Sequence, residues 1–274
     1  MIKPIETSRP RGRPRQIGTE NPAAKALDKG LLVLKAIAET DGISLNDLSL
    51  DLDIPVATLH RLLTTLELHG FASQSQIDAR WSVGIEAFRV GSAFPRAAKI
   101  LDLARPVLRQ LALESGETAN LGVLDQQEVI FTGQHETHHA IRAFMRPGSR
   151  SPWHASGIGK AIAAFLDIQH RQALINSTKY ESYTANTLST KEDFRLELER
   201  IRERYYSLDD EERHSGMRCV AAPIFDASGN VVAGISVSGP IVRMSSEEIP
   251  RFAEQTKRAG ETLSKLLGAP ERTQ

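Results

Sequence analysis

At 274 residues the chain is long enough for two domains, each with its own buried core. The composition is that of an ordinary globular protein, with no apolar run long enough to span a membrane and no charged leader followed by an apolar stretch, so a cytoplasmic location without a membrane partner is expected. The net charge is zero, which does not advertise nucleic-acid binding, and the single cysteine, Cys219, excludes an intrachain disulfide and fits a reducing compartment.

Residues 1–22 are polar, basic and proline-rich without periodicity, and are read as a disordered arm. Up to residue 24, Lys3, Arg9, Arg11, Arg13 and Arg15 stand against only Glu6 and Glu20. From residue 25 to 90 nine acidic residues outnumber six basic ones, so in a DNA complex the arm must supply much of the phosphate attraction. Within it, Pro10-Arg11-Gly12-Arg13-Pro14 resembles the core of an AT-hook: prolines keep the backbone extended, glycine permits close approach, and Arg11 and Arg13 seek the negative potential of a narrow minor groove. A solvated basic tail with general phosphate affinity is the alternative.

Residues 21–40 contain a helix whose expected buried side is Ala26, Leu27, Gly30, Leu31, Leu34, Ile37 and Ala38. The stretch 44–70 then reads as two short helices and a tight turn. Ser44 is a good helix start with Asp47 three residues on, and Leu45, Leu48 and Leu52 form an apolar stripe. Asp53-Ile54-Pro55 breaks the pattern, because the residue before proline leaves the helical region and proline suits a new first turn. The second helix runs from about 55 to 69 and stops at Gly70, a left-handed terminator. Leu59, Leu62, Leu63 and Leu66 share its core face. Ala57, Thr58, His60, Arg61 and Thr64 are the candidate DNA-facing residues, with Arg61 able to hydrogen-bond a guanine or phosphate and Ala57 able only to make apolar contact. Residues 71–74 and 80–83 flank a polar turn and form the wing, from which Arg80 reaches toward a phosphate. A plain helical hairpin with a solvated face is the bland alternative.

Residues 85–97 read as a linking helix with apolar positions suited to dimer contacts, followed by a helix over 99–114 with Pro106 at a bend or restart. From Thr118 the period changes. Strands are expected at 120–124, 128–132, 141–144, 219–225 and 231–238, and helices at 154–166, 194–206 and 247–267. The fold class is therefore α+β: a winged helix-turn-helix domain over 23–84, the linking helix, and an α/β sensor domain over 98–268 with a mainly antiparallel sheet, which resembles GAF-like domains, then a tail over 269–274.

Several separated motifs, in order, carry a family resemblance. They are Pro55-x-x-Thr58-x-His60-Arg61-Leu62-Leu63, His154-Ala155-Ser156-Gly157-x-Gly159-Lys160-Ala161, Asp209-x-Glu211-Glu212-x-x-x-Gly216-x-x-Cys219-x-Ala221-x-Pro223, and Ile235-Ser236-Val237-Ser238-Gly239-Pro240. From residue 23 to 267 the chain resembles the IclR-type bacterial transcriptional regulators. Val56 and Ala57 depart from the polar pair common at that helix start, and Trp153 from an aliphatic residue. The resemblance implies a homodimer or dimer of dimers on double-stranded DNA with a palindromic operator, controlled by a small carboxylic acid bound in the second domain, with no resident cofactor or metal and no enzymatic activity.

The residues themselves support such a ligand site. The backbone N–H groups of Gly157 and Ile158, at a helix start, form a natural carboxylate cradle. If the loop at 226–229 has four residues, Cys219 lies opposite Ser236 with Ser238 on the same face, and Ile235 and Val237 point into the core; a three- or five-residue loop reverses that facing. Asp209 is added by the resemblance. One thiol, two hydroxyls, one carboxylate and two amides suit a two- or three-carbon oxoacid, and the pattern resembles the glyoxylate-responsive branch, with Met145 and Trp153 as candidate walls. Two rivals stand against this reading: a Cys219 enzyme with His154 or His214 as base, and a metal site at His135, His138 and His139.

Overall fold

A computed structural model describes residues 24–92 and 95–270. The arm with Arg11 and Arg13, and the final four residues, lie outside the described residues. The chain divides into two compact units, Met1–Ala93 and Phe94–Gln274. No helix among the described residues is long and apolar enough to cross a membrane.

The first unit holds α1 (Lys25–Ala38), α2 (Leu45–Leu52), α3 (Val56–Leu68), the strands β1 (Ala72–Gln74) and β2 (Trp81–Val83), and α4 (Ile85–Ser92). Ser44 caps α2 by accepting from Asp47 N. Asp53 adopts a left-handed conformation that turns the chain between the helices, and Gly70, with φ of +72°, ends the second. Leu48, Leu59, Leu63, Val33, Ile37 and Trp81 form the core. The wing pairs antiparallel, Ser73 opposite Ser82, and a bridge between Ile43 and Trp81 ties it to the residue before the α2 cap.

The expected buried side of α1 is corrected by the structure. Val33 and Ile37 are buried, whereas Leu27, Leu31 and Leu32 are exposed. The cause is the thinness of this unit: a pair at i, i+4 reaches the core, and no element among the described residues of the unit covers the flank.

In the second unit α5 (Pro95–Ser115) begins four residues before the expected start at 99 and runs on through Pro106. Next come β3 (Thr118–Asp125), β4 (Glu128–His135), β5 (Arg150–Pro152) and a short 3-10 turn (Trp153–Ala155). Helices α6 (Gly157–Phe165), α7 (Ile168–Ser177) and α8 (Lys191–Arg204) precede β6 (Ser207–Asp210), β7 (Met217–Phe225), β8 (Val231–Pro240) and α9 (Ile249–Leu266). The strands form one antiparallel sheet in the order β5-β4-β3-β8-β7-β6. Its alternating residues feed two cores. Leu121, Val220, Ile235 and Val237 pack with Leu108, Phe252 and Leu263 of α5 and α9. On the other face Ala221 and Val129 pack with Ile158, Ile162 and Phe194 of α6 and α8.

Two strand expectations change. Residues 141–144 form no strand, because β5 occupies the free edge of β4. That loop is held instead by side chains: Thr118 Oγ1 donates to Ala143 O over 3.0 Å, and Arg243, paired with buried Glu117, donates to Ile141 O over 2.9 Å. In the β7–β8 hairpin, Phe225 pairs Val231 across a five-residue loop, and an irregularity follows at once, between Ile224 and Phe225. Cys219 therefore faces Ser238, and Ala221 faces Ser236. The bulge restores the facing that the odd loop reverses, so Ile235 and Val237 do lie in the core.

α6 packs unusually close. A side chain at Gly159 would overlap the backbone of Trp153. Gly159→Ala is expected to destabilise the second unit by about 3 kcal/mol, at the upper end for overpacking, seen as a lower urea midpoint. Gly30→Ala on α1, where no atom lies within 4 Å, is expected to stabilise the first unit by roughly 0.5–1 kcal/mol.

Candidate DNA-binding face and effector cavity

Four of the five residues expected to face DNA from α3, Ala57, His60, Arg61 and Thr64, are exposed, and Thr58 is half-buried. Opposite them Leu59 and Leu63 are fully buried, with Leu62 and Leu66 packed beside. α3 thus shows solvent a face with an arginine, a histidine and a threonine. Arg80, on the wing, is exposed too, but its guanidinium donates to Gly42 O over 3.0 Å and lies 3.7 Å from Asp78. Part of its donor fork is committed before any partner arrives.

In the second unit, Gly157, Ile158, Asp209, Cys219 and Ser238 line one cavity of about 240 Å³. Its floor is a row of the sheet in which Asp209 faces Cys219, Cys219 faces Ser238, and Ser238 faces Thr118. Its other side is the start of α6. The first amides of a helix have no acceptor within it; Ser156 takes that of Gly159, and Gly157 and Ile158 line the cavity. A Cβ at Gly157 would stand 2.8 Å from Cys219 Sγ, which places the thiol directly against the helix start.

Ser236 departs from expectation. It is fully buried on the same face of the sheet as Ser238, one pair farther along β8 and opposite Ala221, and it does not line the cavity. Trp153 is likewise no wall: it is buried among Phe194 and its neighbours and donates to Thr178 Oγ1 over 2.8 Å. Met145 does line the cavity.

Several cavity groups escaped the sequence reading. Asn120 donates to Ser238 Oγ over 3.3 Å and accepts from Gln134 over 3.0 Å, which fixes the serine rotamer. Arg142, Arg213 and His214 stand in the wall, and Phe131 and Met217 make part of it apolar. None belongs to a periodic pattern; pairing on the sheet and two irregular loops bring them together. A larger concavity, about 650 Å³, is lined by Phe165, Arg171, Arg202 and Tyr205 and holds none of the expected site residues.

Behind the cavity Lys160 is fully buried, its ammonium donating to Leu208 O over 2.6 Å and to Glu212 Oε1. The amide of Glu212 donates to Asp209 Oδ1 over 2.8 Å, so one cation serves two linked carboxylates. Burial is the main cause that pushes Glu212 up to about 7; Lys160 opposes it and the charge of Asp209 adds to it. Burial also raises Asp209 against the pull of Lys160. The Cys219 thiol is pushed up to about 11, by burial first and Asp209 second, with the hydroxyls of Ser238 and Ser236 acting the other way. At neutral pH it is a thiol, a hydrogen-bonding group and not a thiolate nucleophile.

Of the two bases considered for Cys219, His214 stands in the wall of the same cavity and His154 is engaged elsewhere. His154 Nε2 lies 3.0 Å from Glu181 O, its ring packed among Tyr180, Tyr183 and Phe194, and burial holds it below its ordinary value. His135, His138 and His139 do not converge: among the described residues no three His, Cys, Asp or Glu side chains could hold a metal.

The raised Glu212 fixes a pH dependence. Between its ordinary value of 4.5 and about 7 the folded chain holds this proton more tightly than the unfolded chain, so stability falls as pH rises through that window. Glu212→Gln is expected to flatten that fall, measured as the unfolding midpoint from pH 4.5 to 7.5.

The comparisons agree with this geometry. The model of the bacterial transcriptional regulator IclR C-terminal domain matches residues 95–265, and that of the IclR helix-turn-helix domain matches residues 26–76. The chain is 44% identical over 257 residues to the HTH-type transcriptional regulator BhcR of Paracoccus denitrificans (strain Pd 1222), covering 93% of this chain and 92% of that one. It is 37% identical over 274 residues to the transcriptional repressor IclR of Escherichia coli (strain K12), covering 98% and 99%. Its fold matches an IclR homolog from Microbacterium hydrocarbonoxydans complexed with 4-hydroxybenzoate, with a TM-score of 0.77 at 21% identity, covering 88% of this chain and 98% of that one. With a helix-turn-helix head and an effector-binding second domain, the chain belongs to the IclR family of transcriptional regulators and is not an enzyme.

Proposed function

We propose that this regulator senses a short oxoacid, glyoxylate first among them, and binds a palindromic operator as a homodimer or dimer of dimers in the cytoplasm. The observation that carries the effector reading is the convergence of the Gly157 and Ile158 amides, the Cys219 thiol, the Ser238 hydroxyl and Asp209 on one small cavity. The amides take the carboxylate at the positive end of α6. The thiol and hydroxyl meet the oxo oxygen, and Ser236 lies buried beside them, one pair farther along the same face of the sheet. At about 240 Å³ the cavity falls below the ~300–1,000 Å³ usual for drug-sized ligands, in favour of a small acid.

A larger acid is the second reading. Phe131, Met145 and Met217 give the cavity an apolar side, and the Microbacterium hydrocarbonoxydans homolog was crystallised with 4-hydroxybenzoate. Calorimetric titration separates the two: glyoxylate is expected to bind more tightly than 4-hydroxybenzoate, and the reverse order rejects glyoxylate as effector. Ser238→Ala is expected to weaken glyoxylate by about 1 kcal/mol, one neutral hydrogen bond.

On the DNA side, Arg61 is assigned to a base edge or phosphate, with Ala57, Thr58, His60 and Thr64 around it and Arg80 at a flanking phosphate. Arg11 and Arg13 of the arm are assigned to the minor groove. Exposed Leu27, Leu31, Ile85 and Phe88 on α1 and α4 support self-association through the first unit. Footprinting on the DNA upstream of the chain's own gene, with and without glyoxylate, tests the reading as a whole. Arg61→Ala is expected to cost about 1–3 kcal/mol of operator affinity, by electrophoretic shift. Removing residues 1–15 is expected to lower both affinity and its salt dependence.

A further inference from the structure

We propose that the effector anion enters the cavity together with a proton, which the linked Asp209–Glu212 pair holds. The inference rests on reading this cavity as a carboxylate site, and extends it from who binds to what binding does to the protein's charge.

The argument is one of buried charge. Among the described residues Lys160 is the cation hydrogen-bonded to the pair, and it is fully buried. Its ammonium contacts Glu212, whose own amide holds Asp209 over 2.8 Å. With both carboxylates ionised the cluster carries one negative charge in excess. Glu212 is 6% exposed and its second oxygen, Oε2, has no hydrogen-bond partner, so that excess is poorly solvated before any ligand arrives. Asp209 lines the cavity itself.

An incoming carboxylate adds a second negative charge beside the first. Two of the other cations at the cavity are already paired with acids, and a third is held against an aromatic ring. Arg142 pairs with Glu136 over 2.6 Å, Arg218 pairs with Asp210 over 2.6 Å, and Arg213 stacks at 3.9 Å on the Tyr183 ring. His214 stands in the wall. From α8, Glu197 adds negative charge toward Glu212 while itself paired with Arg204 over 2.5 Å. From β7 and β8 the pair meets only the neutral Cys219 thiol and the Ser238 hydroxyl. The α6 amides stabilise the carboxylate but do not cancel its charge. Taking up one proton on the Asp209–Glu212 pair returns the cluster to balance against Lys160, and turns a repelling carboxylate into a hydrogen-bond donor aimed at the ligand. Burial, which already raises both acids, works in the same direction.

Titration calorimetry of the full chain with glyoxylate at pH 8, in buffers of different ionisation enthalpy, counts the protons. About one proton taken up per subunit is expected, with affinity rising up to about tenfold per unit as pH falls from 8.5 toward 7. Asp209→Asn and Glu212→Gln each leave one carboxylate balanced by Lys160, and each is expected to bind with the uptake removed. Wild-type binding with no proton uptake overturns the inference, and so does uptake that persists in both variants; the wild-type count alone decides the matter if a variant does not fold. Heat with 4-hydroxybenzoate but none with glyoxylate overturns the effector reading alone, and the proton count is then taken on 4-hydroxybenzoate. No heat with either acid overturns both.

Discussion

The close approach of α6 to the sheet is the constraint on which the sensor domain depends. Gly157 sits where any side chain would collide with Cys219, and Gly159 where one would enter the Trp153 backbone. From below, Gly234 leaves room for Ile158, whose Cγ2 would lie 3.0 Å from an added Cβ. With side chains absent at the contact, the helix start descends onto the floor and its unpaired amides come within reach of a ligand resting there. A wider helix–sheet spacing would leave a cleft of ordinary packing, with the amides of the helix start held away from the floor. The same descent brings Lys160, one turn into the helix, down beside β6 and onto Glu212.

That buried lysine is costly in itself. Removing an ammonium and two carboxylates from water is offset only by good geometry, and replacing such groups with apolar ones is often neutral or stabilising. Here the geometry is incomplete, since Glu212 Oε2 is unpartnered. A cluster kept in that state is weak support for stability. It is better placed to respond to charge, because any change at Asp209 is felt by Glu212 through a backbone amide and by Lys160 through an ion pair.

Much of the head was legible in the sequence, because local rules decide it. Ser44 caps, Gly70 terminates, and Leu59 and Leu63 at one spacing can only face inward. The flank of α1 was misread because periodicity gives a direction and not a depth: Leu27 and Leu31 lie on the apolar side but stay exposed, while Val33 and Ile37 are buried and Leu34 packs half-buried against them. In the sensor domain five of the six expected ligand residues share the cavity, and the family motifs carried them. Ser236 was misplaced because hairpin register depends on a bulge that no residue announces. The stretch 141–144 has strand-like residues, yet a strand needs an open edge, and β5 holds it. Asn120 and Arg213 were missed because their roles arise from pairing and loop closure across long separations, which spacing does not encode.

The cavity's two characters also limit what it can accept. Its floor is polar and fixed: Asn120 locks Ser238, the Glu212 amide holds Asp209, and the sheet register sets Cys219 between them. Its apolar side borrows Met145 from the irregular loop and Met217 from the end of β7, and methionine repacks readily around ligands of different length. A rigid polar end paired with an adaptable apolar end discriminates strongly on polar groups and weakly on the carbon chain attached to them. Buried donors left unpaired are penalised far more than an extra methylene is resisted. On that physics one sheet floor can serve regulators whose acids differ in length, with the choice made by the side chains that close the other end.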